Sequence, residues 1–131
     1  MKKIILFIAV VFLGAFSYQV AAQETEKAGI AAAIEAGNAG DLGAFFAESL
    51  DLTLIDQEDV YSQNQAQVII SRFFSQNKPK SFEIKHEGKS KLKDFYYIGE
   101  LKTDKGDFRV TFFLKKQDNG FKVKQLRIEN A

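Results

Sequence analysis

Several residue types that cross-link small proteins or supply their reactive groups are absent or scarce in this sequence. It has no cysteine and no tryptophan, and only one histidine (His86), one proline (Pro79) and one methionine. The lack of cysteine excludes disulfides and thiolate metal sites, and one histidine without carboxylates at ligand spacing does not make a metal centre. We therefore expect no metal and no cofactor, and a fold that depends on packing for its stability.

Sequence motifs of common enzyme classes are also missing. The sequence contains no Gly-x-Ser-x-Gly elbow for a serine nucleophile and no glycine-rich phosphate-binding loop. The 18 basic residues nearly balance the 17 acidic ones, so there is no cationic excess to attract nucleic acid or an anionic membrane. We expect no nucleic-acid partner.

The N-terminal residues have the pattern of a secretory signal. Lys2 and Lys3 precede an apolar run over residues 4–16, and small residues follow before a cleavage point. The apolar run is shorter than the roughly 18 residues that a membrane-spanning helix needs. We therefore predict a cleaved signal peptide over residues 1–22, a periplasmic or secreted protein, and no stable membrane insertion after cleavage. Residues 23–131 then form a single domain.

Helical patterns dominate the first half of this domain. Apolar spacing predicts helices over residues 24–37, 39–48 and 63–77. Ser62 is the expected N-cap of the third helix, and Pro79 follows its end. Between the second and third helices, residues 50–56 alternate as a strand, and a short return strand begins at Val60-Tyr61.

The second half predicts four consecutive antiparallel strands, over residues 81–89, 93–103, 108–116 and 121–130. Glycine-containing turns separate the last three strands. In the fourth strand the apolar positions change from odd to even near Lys124-Gln125, which predicts a β-bulge there. The fold class is therefore α+β, with N-terminal helices packed on a curved four-stranded antiparallel meander plus a short strand pair.

The alternation of residues gives the predicted sheet two apolar faces. On the face towards the helices, His86 is expected beside Phe82 and Ile84, and Tyr97 on the next strand. The residues expected on the opposite, outer face are Tyr96, Ile98, Thr111, Phe113, Leu126 and Ile128. A monomer rarely exposes an apolar patch of this size. We therefore predict a homodimer through this face, with the candidate residues Tyr96, Ile98, Thr111 and Phe113. The alternative is that the N-terminal helix or the aliphatic parts of lysine side chains cover part of the patch.

The order of elements resembles the nuclear transport factor 2-like (NTF2-like, cystatin-like) superfamily. Short motifs lie in order along residues 37–129: Gly37-Asn38-Ala39 with Leu42, Tyr61-Ser62 with Gln65-Ala66, Phe73-Phe74, His86-Glu87-Gly88 with Ser90, Tyr97-Ile98-Gly99 with Leu101 and Thr103, Phe108-Arg109-Val110, and Leu126 to Glu129. In these motifs the chain more closely resembles an exported bacterial family, the domain of unknown function 4783.

The resemblance implies a curved sheet that wraps a long helix and leaves a cone-shaped pocket. It also implies dimerisation through the outer sheet face, which is common in the superfamily. Some members are enzymes, such as ketosteroid isomerases and scytalone dehydratases, but no matching acid–base set aligns with this sequence. The resemblance therefore transfers no catalytic residue.

Three residues are candidates for binding a small apolar ligand in such a pocket: His86, Tyr97 and Tyr61. The imidazole of His86 could have a functional role, as a general base or as a polar contact for a ligand. The alternative is a structural role, as a hydrogen-bonded side chain at the margin of the sheet. The two tyrosines either direct hydroxyls into the pocket or pack as core rings. Asp56 either ends its strand as a pocket acid or belongs to a solvated turn.

These observations favour a non-catalytic exported binding or interaction domain, with a small apolar ligand between helices and sheet. The alternative is a small pocket enzyme of isomerase, dehydratase or hydrolase type that uses His86 with a tyrosine. An open cavity reached by both His86 and Tyr97 would favour a pocket. A cone filled by phenylalanine rings would leave a surface-interaction role.

Overall fold

Helix α1 opens the part of the chain that the structure describes. The structure, a computed structural model, describes residues 23–131, so the predicted signal peptide lies outside the described residues. Within them α1 covers residues 23–36. Gly37 follows with a φ of 66°, and its N–H donates to the carbonyl of Ile34 while Asn38 N–H donates to Ala33. This Schellman ending favours glycine, which confirms the predicted stop.

Helix α2 is shorter than the sequence predicts. It covers Ala39–Gly43, and the side chain of Asn38 caps it by accepting a hydrogen bond from Asp41 N–H at 3.0 Å. The prediction of a helix as far as residue 48 is wrong, because strand β1 begins at Phe46. Phe46 pairs with Val123, and this long-range pairing takes priority over the local helical pattern.

A mixed six-stranded sheet forms the body of the fold. Its strands are β1 (Phe46–Leu54), β2 (Gln57–Ser62), β3 (Pro79–Lys89), β4 (Phe95–Thr103), β5 (Gly106–Gln117) and β6 (Gly120–Asn130). The order is β2-β1-β6-β5-β4-β3, and only the β1–β6 pair is parallel. The predicted meander is therefore β3 to β6, and the predicted strand pair extends the same sheet. The α+β class is confirmed, with six strands in one sheet.

A bulge in β6 sets the facing of its two halves. Phe113 pairs with Gln125 and the next residue, Leu114, pairs with Val123. Lys124 is thus the extra residue, as the change of alternation predicts. It allows Val123 and Leu126 to be buried on the same face, at 0% and 1% exposure.

Helix α3, Gln63–Gln76, crosses the inner face of the sheet, which is the face that the helices cover. Ser62 and Gln65 form a capping box at its start, which confirms the predicted N-cap. The side chains of α3 that are buried against the core are Ala66, Ile70, Phe73 and Phe74. Ile69 lies at the margin of this stripe and is only half-buried.

The register places the remaining core residues. Phe112 pairs with Leu126, and Val110 with Ile128, so each pair shares one face. All four side chains are at most 2% exposed. The expectation that Leu126 and Ile128 lie on the outer face is therefore wrong, because the β6 bulge turns both towards the helices.

Candidate functional site

Tyr97 lies in the core on the inner face. It is 2% exposed, and its ring stacks on Phe112 with centroids 4.9 Å apart and planes 27° apart. Its hydroxyl has no hydrogen-bond partner among the described residues. Burial raises the pKa of the Tyr97 phenol, with a further contribution from the charges of Glu24 and Glu87, so the phenol stays protonated at neutral pH.

Helix α1 closes the solvent side of Tyr97 through Lys27. The Lys27 ammonium lies 5.6 Å from the centre of the Tyr97 ring. It also pairs with Glu87 at 2.7 Å and with Glu24 at 3.4 Å. The hydrogen bond to Glu87 is the main reason why the pKa of Lys27 is raised. This arrangement attaches α1 to β3 and leaves no opening to Tyr97 at that point.

His86 lies on the outer face, not beside Phe82 and Ile84 as the alternation suggests. Ile84 pairs with Gly99, whereas His86 pairs with Ile98. Two steps along β3 thus match one step along β4, so Lys85 is the extra residue of a bulge. The prediction of a shared face is wrong for this reason. His86 is exposed and faces away from Tyr97, so the two do not form an acid–base pair.

The interior between the helices and the centre of the sheet is filled by rings. Phe73 of α3 meets Phe108 of β5 edge to face, with centroids 5.1 Å apart. Phe112 is fully buried behind Tyr97. A cavity reached by both His86 and Tyr97 is therefore not formed in the described part of the chain.

A groove does open at the other side of α3, where the helix meets β1 and β2. Its volume is about 360 Å³, and Tyr61 is the one sequence-predicted candidate that lines it. Leu52 and Phe73, at 1% and 5% exposure, form an apolar floor. The complete lining is Leu52, Leu54, Gln57, Tyr61, Ile69, Arg72, Phe73 and Gln76.

Local structure explains why these side chains meet. Leu52 and Leu54 alternate with outward residues on β1, and the β1–β2 register places Leu54 opposite Gln57. Tyr61 pairs with Leu50, which faces the core at 0% exposure. The tyrosine therefore points to the helix side of the edge strand β2.

A second hollow of about 410 Å³ adjoins the groove along the first half of α3. The two share Tyr61 and Ile69. Val68, which is 59% exposed, lines the second hollow together with the uncharged residues Asn64 and Gln65. The two hollows therefore adjoin each other between α3 and β2, and the second is the more apolar of the two.

A larger hollow of about 580 Å³ lies at the start of β1, near the β5–β6 turn. Its two lysines already bond to the backbone: Lys122 donates to the carbonyl of Ala44, and Lys124 to that of Ser49. These bonds bridge the place where β1 departs from β6, between Phe46 and residue 51. The lysines therefore have a structural explanation.

The outer face carries the four candidate dimer residues, each half-buried. Tyr96 pairs with Phe113, and Ile98 with Thr111. The rings of Tyr96 and Phe113 are 6.0 Å apart. His86 and Arg127 lie at the sides of this apolar centre, as partners of Ile98 and Thr111 respectively.

Sequence reasoning missed most of the groove. It identified Tyr61, but it did not identify Arg72, Gln57 or Gln76. The available signal was the composition of α3, in which Arg72 is the one charged residue.

Residues 23–131 contain no cluster of three or more metal-binding side chains. No helix among them has the length and hydropathy to cross a membrane.

Comparison with known proteins identifies the family. A family model described as domain of unknown function DUF4783 matches residues 27–129. The chain belongs to the DUF4783 family. A DUF4783 protein from Bacteroides ovatus is 30% identical, with a TM-score of 0.75 over 79% of this chain and 94% of that one. None of the curated proteins compared with the chain matches it.

More distant structures show the fold alone. A domain of unknown function with a cystatin-like fold from Nostoc punctiforme is 12% identical, with a TM-score of 0.67 over 87% of this chain and 78% of that one. An NTF2-like family protein from Streptomyces avermitilis is 9% identical, with a TM-score of 0.60 over 88% of this chain and 97% of that one. The DUF4783 chain therefore has the NTF2-like, cystatin-like fold that its sequence resembles.

Proposed function

We propose that this DUF4783 chain is a non-catalytic, exported binding domain that holds a small apolar or amphipathic ligand in the groove between α3 and the β1–β2 pair. The observation that carries the proposal is the groove itself. It has an apolar floor at Leu52 and Phe73 and polar groups at its rim, which is the usual composition of small-molecule sites. Of the three candidate ligand residues, Tyr61 is the one that lines it.

The groove has the chemistry of a binding site rather than of a catalytic one. Its lining has a phenol, two amides and a guanidinium, but neither a carboxylate nor an imidazole. A general base is therefore missing from the lining. The alternative of a pocket enzyme with His86 and a tyrosine has no comparable support, since His86 lies on the outer face.

Ligand binding is tested by titrating the nitrogen-15-labelled protein with octan-1-ol and octanoate and following amide shifts by NMR. We expect saturable shifts at residues that line the groove. Ile69→Gln, which replaces a half-buried apolar side chain of the groove, should weaken binding of either compound. Ser71→Gln is the matched control on the same helix, because Ser71 is exposed and outside the groove. Equal affinities for the two variants would contradict the proposed site.

We further propose that a second copy of the chain covers the outer face. The supporting feature is the half-buried strip of Tyr96, Ile98 and Phe113, which a two-fold packing would place against itself. Light scattering should give twice the monomer mass, and Ile98→Lys should reduce it to the monomer mass. Ser71→Lys, at an exposed position of α3 on the helix side of the sheet, adds the same charge away from the outer face and should leave the mass unchanged. A wild-type monomer at micromolar concentration would refute this part of the proposal.

Export is proposed from the N-terminal pattern and is tested by cell fractionation. Mass spectrometry of the chain from the periplasmic or extracellular fraction should give a polypeptide that begins at Gln23. A cytoplasmic chain that retains residues 1–22 would contradict export.

A further inference from the structure

The charge of α3 is concentrated in one residue. The helix has 14 residues, and Arg72 is the only ionisable one among them. The other exposed positions are asparagine, glutamine and serine, with Val68 as the one apolar residue among them. Arg72 lines the groove and also a shallow hollow with Gln67, Val68, Ser71 and Ser75, so a single positive charge lies where the apolar groove meets the solvent.

Arg72 has no anionic partner within the described residues. The other two arginines, Arg109 and Arg127, both lie 3.7 Å from the carboxylate of Glu129. No ion pair within 4.0 Å involves Arg72 among residues 23–131, and the groove lining contains no acidic side chain. The carboxylate of Asp59, on the adjacent strand β2, accepts a hydrogen bond from Val60 N–H instead.

We infer that the groove accepts a small amphipathic anion, a monocarboxylate with an unbranched apolar tail. The inference rests on the proposed function and specifies its ligand. The carboxylate bonds to the Arg72 guanidinium, in which two parallel N–H groups match the two oxygens of a carboxylate. The tail lies along Leu54 and Ile69 towards Tyr61.

The polar and apolar groups of the groove have separate roles in this arrangement. Each methylene group of the tail that is buried in the groove contributes about 0.8 kcal/mol to the binding free energy. This contribution is the same whatever the charge of the head group. Arg72 contributes the selection by charge, because it attracts an anion and repels a cation. The amides of Gln57 and Gln76 are uncharged and can donate to the same carboxylate.

The lysine-lined hollow near the β5–β6 turn is a weaker candidate for an anion. Lys122 and Lys124 already donate to backbone carbonyls, and Glu48 and Asp118 share the lining. An anion there would meet two negative side chains and would compete with existing hydrogen bonds. Arg72 has neither disadvantage.

The test is an NMR titration of the purified protein with three compounds of equal chain length: octanoate, octan-1-ol and octylammonium. We expect octanoate to bind most tightly and octylammonium most weakly. Arg72→Gln should weaken octanoate binding about fivefold, the effect of a partly exposed ion pair, and should leave octan-1-ol binding unchanged. Arg72→Lys keeps the charge and should retain most of the preference for octanoate.

Lys91→Gln is the matched charge control. Lys91 is exposed in the β3–β4 turn and outside the groove, so its removal lowers the net charge by the same amount without changing affinity. If Arg72→Gln and Lys91→Gln bind octanoate equally well, the anion inference is overturned.

The results separate this inference from the proposed function. Equal binding of octanoate and octan-1-ol, with shifts in the groove and no effect of Arg72→Gln, would overturn the anion inference alone. Absence of binding for all three compounds, or shifts confined to residues outside the groove, would overturn both.

Discussion

Removing the hydroxyl of Tyr97 should stabilise the protein. The hydroxyl is buried without a hydrogen-bond partner among the described residues, and such a group costs about 1–3 kcal/mol of folding free energy. Tyr97→Phe keeps the ring that stacks on Phe112 at 4.9 Å and keeps a ring face for Lys27. We therefore expect a gain of about 1 kcal/mol in the free energy of unfolding, or about 4 °C in Tm.

The assay is urea unfolding followed by circular dichroism. The slope of the unfolding free energy against urea concentration should be the same for the variant and the wild type. Tyr96→Phe is the control, because the neighbouring side chain lies half-buried on the outer face. We expect it to change stability by less than about 0.5 kcal/mol. If Tyr97→Phe instead destabilises the protein by about 1 kcal/mol or more, the hydroxyl has a partner and our account of the closed interior is wrong.

The same variant has a signature in alkaline solution. The pKa of Tyr97 in the folded protein is raised above its ordinary value of 10.0, mainly by burial. Because the folded state then holds the phenol proton more tightly than the unfolded state, stability is unaffected by this group below its unfolded-state pKa and falls as the pH rises above it. The stability advantage of Tyr97→Phe over the wild type should therefore grow above about pH 10. A constant difference between pH 8 and 11 would contradict the assigned burial.

Three further predictions follow from the helices and the core. Phe112→Ala removes a fully buried ring and should cost about 3–5 kcal/mol in urea unfolding; a loss below 1 kcal/mol would refute its central place. Ser62→Ala removes the capping box of α3 and should cost about 1 kcal/mol, whereas the exposed Ser71→Ala should cost nothing. The pKa of Lys27 is raised, chiefly by its hydrogen bond to Glu87. The stabilising contribution of this pair is therefore present below the ordinary lysine pKa of 10.5 and is lost as the pH rises above it. Lys27→Met should reduce the loss of stability in alkaline solution, by less than about 1 kcal/mol because the pair is partly exposed.

Local patterns predicted those parts of the fold that local physics decides. The bulge at Lys124 can be predicted because the apolar positions change from odd-numbered to even-numbered residues across it. The start of α3 at Ser62 was readable because the cap chemistry lies within four residues of sequence. The stop at Gly37 was readable because few other residues tolerate its positive φ.

Features that depend on long-range pairing were not readable. The bulge at Lys85 lies in the polar run Lys85-His86-Glu87, where alternation carries no information about facing. The alternation therefore predicts the wrong face for His86. The local pattern also predicts too long a second helix, because Phe46 fits a helical stripe as well as a strand and only its pairing with Val123 decides between them.

The groove illustrates the same limit. Tyr61 could be identified as an aromatic residue with a polar group, but its neighbours come from β1 and from a helix turn that lies eight or more residues away in sequence. The parallel β1–β6 pair places Leu54 beside Ile128 and so fixes the floor of the groove. No local pattern predicts that pairing.

The central claim is that ligand binds between α3 and the β1–β2 pair and not in a cone between His86 and Tyr97. Isotope-filtered nuclear Overhauser measurements between the tail of bound octanoate or octan-1-ol and carbon-13-labelled protein methyl groups test it most directly. The account predicts contacts to the methyl groups of Ile69 and Leu54. Contacts to Ile98 on the outer face, or to Ile84 beside Phe82 with none to Ile69, would contradict it.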